Sequence, residues 1–131
     1  MQTLATDTSL SDWIPNANRL GAYLHLPFCA ERCGYCSFNT APYEPGAMDR
    51  FLSALCGEIA LVAGLPWAAG TTLHTVFVGG GTPSLATEEQ MAAVLDALRR
   101  RFVLAPGAEI TVECNPESVS RRRLGATAGP A

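Results

Sequence analysis

The stretch Gly21-Ala-Tyr-Leu-His-Leu-Pro-Phe-Cys-Ala-Glu-Arg-Cys-Gly-Tyr-Cys36 decides the fold. Its first part, Gly21 to Leu26, alternates as a short strand does, and Pro27 stops it because proline brings no amide to a ladder. Its second part sets Cys29, Cys33 and Cys36 in a C-x3-C-x2-C spacing on a loop that runs to Gly46 through Gly34, Pro42 and Pro45. A strand that opens directly into clustered thiols raises two questions: what the rest of the chain builds around that strand, and what the thiols hold.

Downstream, Phe51, Leu55, Ile59 and Val62 recur at helical spacing and predict a helix over Met48 to Ala63, ended by Gly64 and Pro66. His74 to Val78 reads as a second strand, closed by Gly79-Gly80-Gly81. Thr87 with Gln90 three residues on is a capping-box pattern, and Glu88 and Glu89 suit the positive end of the helix it would start. Met91, Val94, Leu95, Leu98 and Phe102 form that helix's apolar stripe, and Arg99, Arg100 and Arg101 suit its negative end. Glu109 to Glu113 reads as a third strand. Strand–helix–strand–helix–strand alternation predicts an α/β fold with a parallel sheet and right-handed crossovers. Ligands of such sheets gather at the carboxyl ends of the strands. The cysteine loop, the glycine triplet and Glu113 all fall there.

Composition narrows the classes. The chain has 131 residues, nine basic against twelve acidic, and a net charge of −3. That balance argues against a nucleic-acid or anionic-membrane surface. No apolar run approaches the ~18 residues of a membrane span, and the polar N-terminus lacks the apolar core of a signal peptide. A cytoplasmic protein is expected. Five cysteines are an odd number for a disulfide framework, and a reducing compartment disfavours one.

Three thiolates can hold three irons of a [4Fe–4S] cubane and leave the fourth iron open, whereas an electron-transfer cluster usually takes four cysteines. Cys56 lies within a helix and reads as a small buried hydrophobe. Cys114 follows Glu113 on the strand, so its side chain should point to the opposite face. Structural zinc, held by the three cysteines and His25, is the competing reading; it lacks the paired C-x2-C units of zinc modules. The glycine triplet permits close approach of a ligand to the main chain. No G-x4-G-K-[ST] phosphate loop is present, and lysine is absent. Glu113 could accept hydrogen bonds from ribose hydroxyls or an amino group, with Asn115-Pro116 turning the chain behind it.

Tyr23-Leu-His-Leu-Pro-Phe-Cys29, the C-x3-C-x2-C loop, Gly79-Gly-Gly-Thr-Pro-Ser84 and Thr111-Val-Glu-Cys-Asn-Pro-Glu117 together resemble the oxygen-independent coproporphyrinogen III oxidase-like branch of the radical-SAM superfamily. The resemblance runs from about Gly21 to Ser120. Oxidases of that branch carry a further cysteine two positions after the last cluster cysteine. Phe38 stands there, so the sequence is similar to the HemW-type heme-chaperone subgroup. The resemblance implies the N-terminal part of a partial (β/α)6 TIM-like barrel, with about three parallel strands and two helices. It implies a [4Fe–4S] cluster on Cys29, Cys33 and Cys36. It also implies S-adenosylmethionine (SAM) contacts from Tyr23, Tyr35, Gly79, Gly80, Gly81, Thr82 and Glu113.

In the family the amine and carboxylate of SAM chelate the open iron, and reductive cleavage gives methionine and a 5′-deoxyadenosyl radical. Heme or a porphyrin as ligand, a heme-accepting protein and an electron donor are the partners implied. Oxidative decarboxylation of coproporphyrinogen is the enzyme alternative. Family members are several times longer. The chain is therefore expected to be a truncated product, with residues 1–20 a flexible lead-in, 21–120 a truncated core and 121–131 a disordered, non-family tail.

Overall fold

In the computed structural model, residues 20–122 are described. The expected lead-in up to Arg19 and the tail from Arg123 lie outside the described residues. Leu20 already belongs to a strand, and Arg121 and Arg122 are helical.

The first strand, β1, spans Leu20–Leu26. Two residues, Phe28–Cys29, form β2, and Ala41–Pro42 form β3. Helix α1 covers Ala47–Ala63, β4 covers Thr72–Gly80, α2 covers Glu88–Arg101 and β5 covers Val103–Val112. The main sheet has the order β1-β4-β5 with every pair parallel. This is the three-strand, two-helix α/β arrangement expected from the alternation.

One face of the sheet is covered. Leu24 and Leu26 of β1 and Val76 and Val78 of β4 are buried, in one core with Met48, Leu52 and Ile59 of α1 and Met91, Val94, Leu95 and Leu98 of α2. Period-two alternation sends Tyr23 and Phe77 to the opposite, open face, where they stay 59% and 38% exposed. They are register partners, and their rings stack at 5.9 Å.

Details differ from the sequence reading for physical reasons. The buried stripe of α1 runs through Met48, Leu52 and Ile59, with Phe51 and Leu55 only partly buried. The buried stripe is thus the expected one shifted by less than one position toward Met48 and Leu52, still passing through Ile59. Cys56 is half-buried against the core. The third strand starts at Val103 rather than Glu109, because Pro106 and Gly107 lie in an irregularity of β5 that keeps the chain in the sheet. Leu73 pairs with Leu104 while Thr75 pairs with Glu109, and Gly107 takes φ +73°. A bulge accommodates a residue without an amide followed by one with positive φ. The capping box of α2 is present: Gln90 N donates to Thr87 Oγ1 at 3.2 Å and Thr87 N to Gln90 Oε1 at 2.8 Å.

Candidate functional site

The cysteine loop is pinned at both ends to the top of the sheet. Ala41 N donates to Pro27 O and Tyr43 N to Cys29 O, each at 2.9 Å, which makes the short β2–β3 pair at the loop's neck. His25 adds a third tie. Its Nε2 lies 2.9 Å from Asn39 O and its Nδ1 3.1 Å from the Tyr23 hydroxyl. A carbonyl only accepts, so Nε2 carries the ring proton and Nδ1 accepts from Tyr23. Inside the loop, Cys36 N donates to Cys33 O at 2.9 Å and Arg32 to Cys36 O at 3.2 Å. With both ring nitrogens engaged, His25 is a strut of the loop and not a free metal ligand.

The glycine triplet is explained by what surrounds it. Gly79 and Gly80 are the last residues of β4, so the strand extends further than Val78. A Cβ on Gly80 would lie 2.6 Å from Leu26 O, and one on Gly81 2.6 Å from Phe28 O and 2.8 Å from Cys29 Sγ. The glycines let β4 pass hard against β1 and the root of the cysteine loop. The amides at this turn are engaged by the protein itself. Gly81 N donates to Leu26 O and Thr82 N to Phe28 O, each at 2.8 Å, while Gly80 N donates to Glu113 Oε2 at 3.2 Å. Thr82 Oγ1 lies 3.7 Å from Cys29 Sγ.

These segments enclose a cavity of about 500 Å³, inside the ~300–1,000 Å³ range of small-ligand sites. Cys29, Cys33, Cys36, Tyr35, Gly80, Gly81, Thr82 and Glu113 line it, joined by Phe38, Thr40 and Cys114. Two of the residues singled out in the sequence, Tyr23 and Gly79, sit just below instead. The Cβ position of Gly79 is 2.9 Å from Glu113 Oε2 and 3.2 Å from the Tyr23 ring. Cys114 faces the same cavity and not the opposite face, because β5 ends at Val112 and strand alternation ends with it. Tyr35 is 91% exposed. Its phenol is raised above the usual 10.0, first by a hydrogen bond with Cys33, then by the charges of Cys33 and Cys36 and slight desolvation.

The donor set suits soft-metal ligation: all three loop cysteines are free thiols, and three thiolates can each serve a different iron of a cubane. Thr40 Oγ1 supplies a second indication. It is buried without a hydrogen-bond partner, and Thr40 lines this cavity. An orphaned hydroxyl is costly unless something in the cavity meets it.

Sequence reasoning missed Thr40, and it missed Ser84 and Ser118. Ser84 is buried and accepts from Asn115 N at 3.0 Å, while its hydroxyl meets that of Ser118. The signal was present in the Pro-Ser and Pro-Glu-Ser sequences that follow the glycines and Glu113, which favour side chain–backbone turns.

The fold and the cavity define an α/β half-barrel with its site at the strand ends, and the comparisons agree on one family. The Radical SAM superfamily pattern matches residues 23–127, so the chain belongs to the radical SAM superfamily. That match passes Ser120 and continues into the segment of Arg121 and Arg122.

Among curated relatives, heme chaperone HemW of Mycobacterium tuberculosis is 54% identical over 101 residues, covering 75% of this chain and 25% of that protein. HemW of Escherichia coli is 37% identical over 111 residues, covering 80% of this chain and 28% of its own. The solved structure of E. coli coproporphyrinogen III oxidase (HemN), described as a radical SAM enzyme, superposes with TM-score 0.74 at 30% identity. It covers 82% of this chain and 26% of that one. The chain thus spans about a quarter of the length of these relatives. Among the described residues no helix is long and apolar enough to cross a membrane.

Proposed function

We propose that this chain carries the cluster- and SAM-binding part of a heme-chaperone-like radical SAM protein, acting in heme or porphyrin metabolism in the cytoplasm. One observation carries the reading: three free cysteines, the glycine turn and Glu113 wall a single cavity. Cys29, Cys33 and Cys36 would hold a [4Fe–4S] cluster, and when bound the cluster supplies an electron for reductive cleavage of SAM.

The chain's own residues set the stage for that. The backbone ties of Pro27 and Cys29 fix the loop's neck, so the thiolates need little ordering when they are loaded. Gly80 and Gly81 let β4 close on the root of the cysteine loop, which brings Thr82 and Glu113 to the cavity beside Cys29. Glu113 is anchored through Oε2 to the Gly80 amide, and its other oxygen can accept from a ribose hydroxyl or an ammonium group. Thr82 sits beside Cys29, and Tyr35 covers the outer side of the loop near Cys33. The Tyr23 ring packs beside Gly79, on the side of the sheet where the Glu113 carboxylate lies.

Heme as a further ligand, a heme-accepting protein and an electron donor follow from the likeness to HemW relatives. Phe38, 65% exposed at the cavity rim, brings no extra thiol where the oxidases have one, which favours the chaperone over coproporphyrinogen decarboxylation.

Anaerobic reconstitution tests the cluster reading. A brown protein with about four iron and four sulfide per chain, lost in Cys29→Ser, Cys33→Ser and Cys36→Ser, is the expected result. A colourless protein retaining one zinc would overturn it. Heme titration alongside a porphyrinogen turnover assay separates the two functions: heme uptake without turnover is expected, and turnover would favour the oxidase.

A further inference from the structure

Two segments converge behind Glu113 and are sewn together by a ring of hydrogen bonds. The 3-10 turn Pro83–Leu85 follows the glycines, and the 3-10 turn Pro116–Ser118 follows Glu113. Asn115 N donates to Ser84 Oγ at 3.0 Å, and Ser118 Oγ donates to Asn115 O at 3.0 Å. The Ser84 and Ser118 hydroxyls also meet, which closes a ring through Asn115 N–H, Ser84, Ser118 and Asn115 O, and hydrogen bonds linked in this way reinforce one another. Ser84 is only 6% exposed, so its hydroxyl works where water competes least.

Glu113 sits between this ring and a second clamp. On its near side, Glu113 N donates to Val78 O at 2.9 Å and Gly80 N donates to Glu113 Oε2 at 3.2 Å. Two residues further on, the ring takes hold of Asn115. The segment has left the strand ladder at Val112, so the ring does for residues 113–118 what the sheet does for residues 103–112. Without it, Glu113 would stay attached by its amide and one carboxylate oxygen, on a segment free to swing away from the cavity.

We propose that Ser84 and Ser118 are positioning residues for the ligand carboxylate Glu113: they fix its free oxygen toward the cavity and so set the affinity for a ribose- and ammonium-bearing ligand. This inference rests on the SAM reading above. It assigns roles to two serines that do not line the cavity.

The test uses the full chain with its cluster reconstituted, and SAM itself as the probe, followed by calorimetry. Ser84→Ala is expected to weaken SAM binding about tenfold, while iron and sulfide content and the electron paramagnetic resonance spectrum without SAM stay as in wild type. Ser118→Ala, at a half-buried position where folding is less at stake, should do the same, and Ser118→Thr should recover wild-type affinity. In a Glu113→Gln background, Ser84→Ala should add nothing further, since the serine acts through the carboxylate. Amide exchange of Asn115 should quicken in Ser84→Ala with or without SAM.

Wild type that binds no SAM overturns the cofactor reading and this inference together. Wild type that binds SAM as tightly as Ser84→Ala overturns the positioning role alone. So does a full additive loss in the Glu113→Gln background, or loss of the cluster in both serine variants.

Discussion

The Gly80 amide donates to Glu113 Oε2 at 3.2 Å, across 33 positions of sequence. This bond joins the end of β4 to the end of β5 at the point where the cysteine loop, rising from β1, folds over both. Gly80 adopts φ +120°, outside the range of most side chains, and its Cβ position is filled by Leu26 O and the His25 ring. The glycine is therefore a demand of packing between neighbouring parallel strands, and the amide it brings to Glu113 is a consequence of that approach.

Replacing glycines separates the crowded from the open. Gly81→Ala would place a methyl group 2.6 Å from Phe28 O and 2.7 Å from Pro27 O, both backbone atoms at the cysteine loop's neck. A destabilisation of about 1–3 kcal/mol is expected, the usual effect of overpacking, together with reduced iron uptake. Gly57, inside α1, has nothing within 4 Å of its Cβ position. Gly57→Ala should stabilise the chain by about 0.5–1 kcal/mol through helix propensity. Urea midpoints of the two variants should move in opposite directions, and only the first should lose iron.

The orphaned Thr40 hydroxyl gives a prediction whose sign depends on what fills the cavity. Thr40→Val keeps the shape and removes the unpartnered oxygen. In the cluster-free chain it should stabilise by about 1 kcal/mol, since an unsatisfied buried hydroxyl costs ~1–3 kcal/mol. In the reconstituted protein that gain should vanish, because the hydroxyl then has a partner. Equal stabilisation in both states would show that the hydroxyl faces nothing in the cavity.

Much of this was legible because it rests on periodicity and on motifs at strand ends. Met91, Val94, Leu95 and Leu98 repeat at helical spacing and are buried where that spacing puts them. The alternation read in Gly21 to Leu26 is kept, with Leu24 and Leu26 buried and Tyr23 exposed. What stayed hidden depends on contacts between distant segments. Nothing local says that the amides of Gly81 and Thr82 are consumed by Leu26 O and Phe28 O, or that Ser84 meets Ser118. The bulge in β5 was hidden for another reason: Pro106-Gly107 is chemically a turn signal, and only pairing with β4 keeps the chain extended through it. Cys114 was misplaced because alternation was carried one residue past the end of the strand.

The acid limb of stability should carry a contribution from the start of α2. The Glu89 carboxylate is held below its usual value of 4.5, first by its own backbone amide, then by the Thr87 side chain and the charge of Arg122. A carboxylate with a depressed folded-state pKa stabilises the fold fully above its unfolded value, and the effect is lost as pH falls through the folded one. The contribution is therefore complete above about pH 4.5 and disappears below it. Glu89 is exposed, so the effect is small and salt-sensitive. Glu89→Gln should lower the thermal midpoint slightly near pH 7, leave it unchanged at the acid end, and so flatten the fall below pH 4.5. Scans at low and high salt check both statements.

His25 offers the sharpest separation of loop order from thiol chemistry. It contributes no ligand, yet it joins Asn39 on the far side of the cysteine loop to Tyr23 on the open face of the sheet. Removing it with His25→Ala leaves the β2–β3 neck intact, because those bonds are backbone to backbone. The segment from Cys33 to Asn39 then loses its side-chain tie to β1, and its amides should exchange faster while those of β4 keep their protection. Iron uptake should slow several-fold without any change in the number of free thiols. His25→Gln retains an amide that can donate to Asn39 O and should restore most of the uptake rate. If His25→Ala loaded iron at the wild-type rate, the loop's order would have to come from its neck and its internal turn alone.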